Sequence, residues 1–263
     1  MQQSNPPASP VSGNVLFYTS PEPVNVEQHA NLGLNPSPTP FKFVAQSNLI
    51  PLTVSEFASS ALSYPIIFLG EQKMPLAVMG LSSNDNLFVE ADGTFRADAY
   101  VPAFVRRYPF VFANDEQAER MILCIDRGSD QVVEGGEVRL FEDGKPTPYL
   151  EQCLKFCQDF ETERQRTDSF VKLLTELDLF DTRDAVFTPR NPDGSPGEPQ
   201  KIADYFAVSE EKLRKLSPEK MAELRDNGAL HQIYAHLISL YGWDRLVAMA
   251  MIRAQAMPTA ANA

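Results

Sequence analysis

The sequence predicts an α+β fold, with an antiparallel or mixed β-sheet in the N-terminal half packed by C-terminal helices. Three observations predict it. Apolar runs of strand length, broken by turn residues, crowd residues 15–146. Helix caps and apolar residues at helical spacing dominate residues 147–255. And 43% of the 263 residues are apolar against 22% charged, enough for a sizeable core. Residues 15–255 are therefore expected to form a single α+β domain, with loose tails at 1–14 and 256–263.

The N-terminal tail, MQQSNPPASPVSGN, has too little apolar surface to fold on its own. VLFYTS from Val15 reads as a short strand. The Pro- and Asn-rich connection NLGLNPSPTP follows, then FKFVA from Phe41, whose alternation suits a half-buried strand. Thr53-Val54-Ser55-Glu56 is a capping box. The Thr53 hydroxyl can accept from the Glu56 amide, while the Glu56 carboxylate reaches back to the amide of Thr53. The helix it opens runs from Val54 towards Ser63 and stops before Pro65.

IIFLG and PLAVMGL, parted by the polar EQKM, read as adjacent antiparallel strands. NLFVEADGTFRA is the clearest hairpin signal, with Asp92-Gly93 supplying positive φ angles. VPAFVRRYP reads as a short helix bounded by Pro102 and Pro109, and FVFAN, MILCID and VRLF as the strands after it. Thr147-Pro148 then caps a helix on which Tyr149, Leu150, Cys153, Leu154, Cys157 and Phe160 recur. The polar stretch from Glu161 to Asp168 leaves open whether this is one long helix or two. DAVFTP reads as a strand and NPDGSPGEPQ from Asn191 as a loop. From Ser209 the chain is expected to be helical. Ser217-Pro218 starts a helix and Asn227-Gly228 ends it. Leu230, Ile233, Tyr234, Leu237, Ile238 and Tyr241 mark the face of the next, and Gly242 precedes the last.

Composition excludes several functions. A formal net charge of −12 repels nucleic-acid phosphates and anionic lipid heads, so no nucleic-acid partner is expected. No run approaches the ~20 apolar residues that span a bilayer, and the best candidate, YGWDRLVAMAMI, is broken by Asp244 and Arg245. The first residues lack the basic and apolar regions of a secretory signal. Three cysteines do not make a disulfide framework and read as packed thiols in a reducing cytoplasm, which is the expected location. His231 and His236 stand about 140° apart round a helix, so no zinc pair is expected, and His236 reads as a satisfied structural histidine. Phosphate-binding glycine loops and the G-x-S-x-G elbow are absent, and no cofactor or metal is expected.

The chemistry-bearing residues that remain are Arg106, Arg107 and Tyr108. Arginines among aromatics can hold a carboxylate or phosphate in a bidentate grip. Tyr64 and Asp126, with Asp92 and Tyr100, are candidates to line the same region. The plainer alternative pairs one arginine with a surface acid and lays the other over aromatic packing. No catalytic residue is assigned.

PLTVSEF (51–57), YPIIF (64–68), NLFVEADG (86–93) and above all YVPAFVRRYPF (100–110) resemble the bacterial SapC family. PVNVEQH ending at His29, CIDRGS from Cys124 and GALHQIYAHLISL (228–240) extend the resemblance over about residues 15–250. The family is named from surface-layer protein operons and occurs near genes for outer-membrane receptors and flavin halogenase-like enzymes. It is not the peptide-transporter permease of the same name, which needs spanning segments this sequence lacks. The resemblance carries no catalytic residues across. It implies a soluble accessory or interaction protein with a partner from a surface-layer or outer-membrane system. Two alternatives stand beside it. One is an enzyme or small-molecule binder with an arginine-lined anion pocket near residues 51–110. The other is a helical interaction module at 209–255.

Overall fold

The structure, a computed structural model, describes residues 16–115, 120–188, 195 and 197–256. The expected tail 1–14, nearly all of the tail 256–263 and half of the loop from Asn191 lie outside these residues. The fold is α+β, with antiparallel sheets mainly in the N-terminal half and helices towards the C-terminus. The chain divides into two compact units, Met1–Ser37 with Arg107–Glu161 and Pro38–Arg106 with Thr162–Ala263.

In the first unit, strand Arg120–Asp126 lies between Pro21–Pro23 and Phe110–Asp115, antiparallel to both. From Leu16 on, where the described residues begin, the expected VLFYTS strand is a turn. Residues 16–20 bend so that Tyr18 is buried and its hydroxyl donates to the Phe110 carbonyl at 2.6 Å; pairing begins only at Pro21. A second sheet centres on Leu32–Leu34, flanked by Val132–Glu134 and Val138–Arg139. This strand lies inside the stretch expected to be a connection. Its middle residue must be glycine, because a Cβ on Gly33 would lie 2.8 Å from the Gly136 carbonyl oxygen. Phe110, Leu123 and Ile125 then pack with Leu150 and Cys157 from the start of helix Pro148–Glu176, whose Thr147 cap accepts from the Leu150 amide at 3.4 Å.

That helix is a single element of 29 residues. Its polar middle is a solvent face stitched by pairs such as Arg164–Asp168 at 2.8 Å, except at Thr167, which is buried and accepts from the Val54 amide at 2.8 Å.

The second unit is built on a five-stranded antiparallel sheet. Its order is Phe180–Phe187, Gln200–Val208, Ile66–Leu69, Met74–Val78 and Leu49–Pro51. The IIFLG and PLAVMGL strands pair as expected, Ile66 opposite Ala77. The Gln200–Val208 strand was not expected and is the longest in the sheet. FKFVA is a 3₁₀ turn, Lys42–Val44, because the Lys42 and Val44 amides bond back to Thr39 and Phe41, curling the chain and burying Val44. The Asp92-Gly93 hairpin shrinks to one bridge, Val89 to Phe95, with Gly93 at φ 79°. VPAFVRRYP yields the helix Ala103–Arg106.

The expected C-terminal helices form as Glu210–Arg214, Pro218–Asp226, Ala229–Ser239 and Gly242–Ala256, with Gly228 left-handed at φ 78°. Ala229–Ser239 is pinned to the sheet by two side chains. His236 Nε2 accepts from the Val208 amide at 3.1 Å, and Ser239 Oγ accepts from the Ile66 amide at 2.9 Å.

Candidate functional site

The candidate residues fall into two polar clusters, one in each unit. In the first, Asp126 ends the middle strand and is fully buried. Its carboxylate accepts from the amides of Ser20 at 2.7 Å, Thr19 at 3.1 Å and Gly128 at 3.1 Å. The Thr19 hydroxyl adds a contact at 3.3 Å and the Tyr108 hydroxyl one at 3.4 Å. Asp126 thus ties the chain before Pro21 to the end of the strand it pairs with.

Arg107 belongs to the same unit. Its guanidinium lies 4.5 Å from the centre of the Phe160 ring and 5.9 Å from that of Tyr18. Burial lowers the Arg107 pKa from its usual value, against the pull of the Tyr18 oxygen and the Cys157 sulfur. Burial also raises the Cys157 thiol to about 12 and Cys124 to about 11, far from the thiolate state that nucleophilic or redox work needs. All three cysteines are free thiols.

In the second unit the corresponding carboxylate is Glu56, the last residue of the capping box. One oxygen accepts from the Thr53 amide at 3.0 Å and from the Thr53 hydroxyl at 2.7 Å. The other accepts from the Ala103 amide at 2.6 Å and the Tyr100 hydroxyl at 3.0 Å. Arg106 then donates to the Tyr100 oxygen at 3.0 Å and to the Val101 carbonyl at 3.0 Å. Tyr64 is fully buried and its hydroxyl donates a hydrogen bond to the Tyr100 carbonyl at 2.5 Å; burial raises its pKa far above the usual phenol range. Tyr64, Arg106, Tyr100 and Glu56 form one connected network, while Arg107, Tyr108 and Asp126 gather in the other unit. Asp92 stands apart on its turn, where the Thr94 hydroxyl and amide lower its pKa.

The sequence shows Glu56 only as a cap. The fourfold use of its carboxylate depends on Tyr100 and Ala103, which are 44 and 47 residues away. His236 is structural, as expected, but only half satisfied: Nε2 is bonded, while Nδ1 is buried with no hydrogen-bond partner among the described residues. Because Nε2 accepts a hydrogen bond, its proton sits on Nδ1, and burial pushes its pKa down to about 3. Among the described residues, no three His, Cys, Asp or Glu side chains are grouped so as to hold a metal ion, and no helix is long and apolar enough to cross a membrane.

One surface feature stands outside both clusters. Helix Ala229–Ser239 buries Ile233, His236 and Ser239 but turns other large apolar residues to solvent. Tyr234 is 47% exposed, Ile238 56% and Tyr241, just beyond the helix, 85%. Their spacing of four and three residues places them along one side of the helix axis. Leu62, 79% exposed, follows the short Phe57–Ser60 helix that packs against this one.

Comparison with known proteins gives one match. The SapC family model covers residues 24–246. The chain belongs to the SapC family. No curated protein and no solved structure matches it. For this SapC protein, the YVPAFVRRYPF block that carries the sequence resemblance is the stretch that feeds both clusters. Tyr100, Ala103 and Arg106 serve Glu56, and Tyr108 reaches Asp126.

Proposed function

We propose that this SapC protein is a cytoplasmic accessory protein that acts by docking a protein partner, one belonging to a surface-layer or outer-membrane system. The single observation that carries the docking reading is the solvent-facing row of Tyr234, Ile238 and Tyr241. Large side chains at helical spacing are the usual anchors of an apolar partner segment, and aromatic anchors contribute most when a partner desolvates them. The link to surface-layer or outer-membrane systems rests on the family alone.

The anion-pocket alternative has weaker support. The polar ends of Arg106 and the carboxylates of Glu56 and Asp126 are all engaged by neighbours in the fold. A group already satisfied internally has to give up those bonds before it binds a ligand.

The test is co-purification of the full chain from native bacterial lysate, with cross-linking and mass-spectrometric identification. Wild type is compared with the Tyr234→Glu/Ile238→Glu/Tyr241→Glu variant. The expected result is an envelope-system protein retained by wild type and lost by the variant, at unchanged circular dichroism. A partner retained equally by both removes the surface from the proposal, and a folded wild type that retains none removes the docking function.

A further inference from the structure

The first unit holds a groove that neither cluster uses. It lies between strand Arg120–Asp126 and the first turns of helix Pro148–Glu176, with a volume of about 460 Å³. Val24, Val26, Leu123, Phe141, Leu150 and Leu154 give it an apolar wall. Small-molecule sites run from roughly 300 to 1,000 Å³ with such walls and a few polar groups. A space many times the ~30 Å³ share of one water, lined by hydrocarbon, offers water few hydrogen bonds.

Two of its lining residues have hydrogen-bonding side chains, and only one of these is available. Asn25 spends its side chain on the short helix it caps, accepting from the Gln28 amide at 2.8 Å and donating to the Gln28 side chain at 3.0 Å. Glu151 has a carboxylate with no hydrogen-bond or ion-pair partner among the described residues. Lys155, one helical turn on, is drawn instead to Asp159 at 2.7 Å. No lysine or arginine lines the groove. An apolar trough with one exposed, unpaired carboxylate at its edge disfavours carboxylates and favours cations.

We propose that this groove binds an amphiphilic amine, its hydrocarbon body along Leu123, Phe141 and Leu150 and its ammonium group beside Glu151. Leu154, 37% exposed, forms the outer lip. The site lies in the first unit and the Tyr234 row in the second, so the two readings fail or stand separately.

The experiment titrates the full chain with octylamine, octanol and octanoate below their micellar concentrations, followed by calorimetry and by amide chemical shifts. Saturable octylamine binding is expected, with shifts at Leu150 and Leu123. Octanoate should bind at least about fivefold more weakly, the difference one partly exposed ion pair supplies. Glu151→Gln should bring octylamine to the level of octanol, and Leu154→Trp, which fills the lip, should weaken amine and alcohol alike with an unchanged unfolding midpoint. The proposal is overturned by equal affinity for octylamine and octanoate, by a Glu151→Gln protein that keeps its amine preference, or by no saturable binding at all.

Discussion

In the first unit the Asp126 carboxylate gathers the amides of Thr19, Ser20 and Gly128; in the second the Glu56 carboxylate gathers those of Thr53 and Ala103. Each also takes a tyrosine hydroxyl, Tyr108 for Asp126 and Tyr100 for Glu56. What differs is where the donors sit. Thr19, Ser20 and Gly128 are exposed residues on bends. Thr53 is 3% exposed and Ala103 9%. An orphaned amide on a surface bend can turn to water, whereas one in the interior cannot. The same chemistry should therefore be worth more around Glu56, although Asp126 is the more deeply buried carboxylate.

The sharpest test of that difference is the pair Glu56→Ala and Asp126→Ala. Glu56→Ala strands two interior amides and should cost roughly 3–5 kcal/mol. Asp126→Ala should cost about 2–3 kcal/mol, because its amides regain water. Urea denaturation measures both. Hydrogen exchange at Thr19 and Ser20 should accelerate in Asp126→Ala while exchange at Thr53 stays slow. Equal costs would mean that carboxylate burial, not donor burial, sets the energy.

A second contrast between the units comes from acid. His236 in the second unit has its pKa pushed to about 3, below the ~6.5 of an unfolded histidine. Since the unfolded chain binds the proton more readily, the neutral histidine contributes its full stability above pH ~6.5. That stability is lost as pH falls from there towards the folded value, at about 1.4 kcal/mol per pH unit. Between pH 6.5 and 5 the second unit should lose about 2 kcal/mol. The Val208 amide, which donates to His236, should lose protection against exchange, relative to its intrinsic rate at each pH, over that window. If Val208 protection is flat across it, the ring is not the buried neutral acceptor described.

The two clusters also differ in how far they can be read from sequence. Thr53 and Glu56 are three residues apart, so their pairing is a local motif that any helix start could show. Even there, the motif does not announce that the Thr53 hydroxyl also donates to the Glu56 carboxylate. Asp126 meets Ser20 across 106 residues, and nothing in CIDRGS announces that partner. Arg106 and Arg107 look like a pair because they are adjacent, yet the division of the chain falls between them. The same limit governs the elements. Helices with caps and long apolar periods were legible, as were IIFLG and PLAVMGL. Leu32–Leu34 was not, because three residues around a glycine have no period to show; its pairing is set by Gly136 and Val133, a hundred residues on. FKFVA alternates like a strand, but turn bonds back to Thr39 and Phe41 override the alternation.

The smallest expected effect discriminates most finely. Tyr100→Phe and Tyr108→Phe each delete one hydroxyl beside one of the carboxylates. The Tyr100 oxygen stands 3.0 Å from Glu56 and also accepts from Arg106 at 3.0 Å, so its loss removes two charge-assisted bonds and should cost about 1–2 kcal/mol. The Tyr108 oxygen stands 3.4 Å from Asp126, near the limit at which a hydrogen bond still contributes, and also meets the Ser129 side chain, so its loss should cost about 0.5–1 kcal/mol. Both variants keep the ring, so packing is nearly constant and the difference reports the hydroxyls alone. A larger cost at Tyr108 than at Tyr100 would place the strained, high-value contact in the first unit. It would also reopen Tyr108 and Asp126 as a site held ready for something other than the fold.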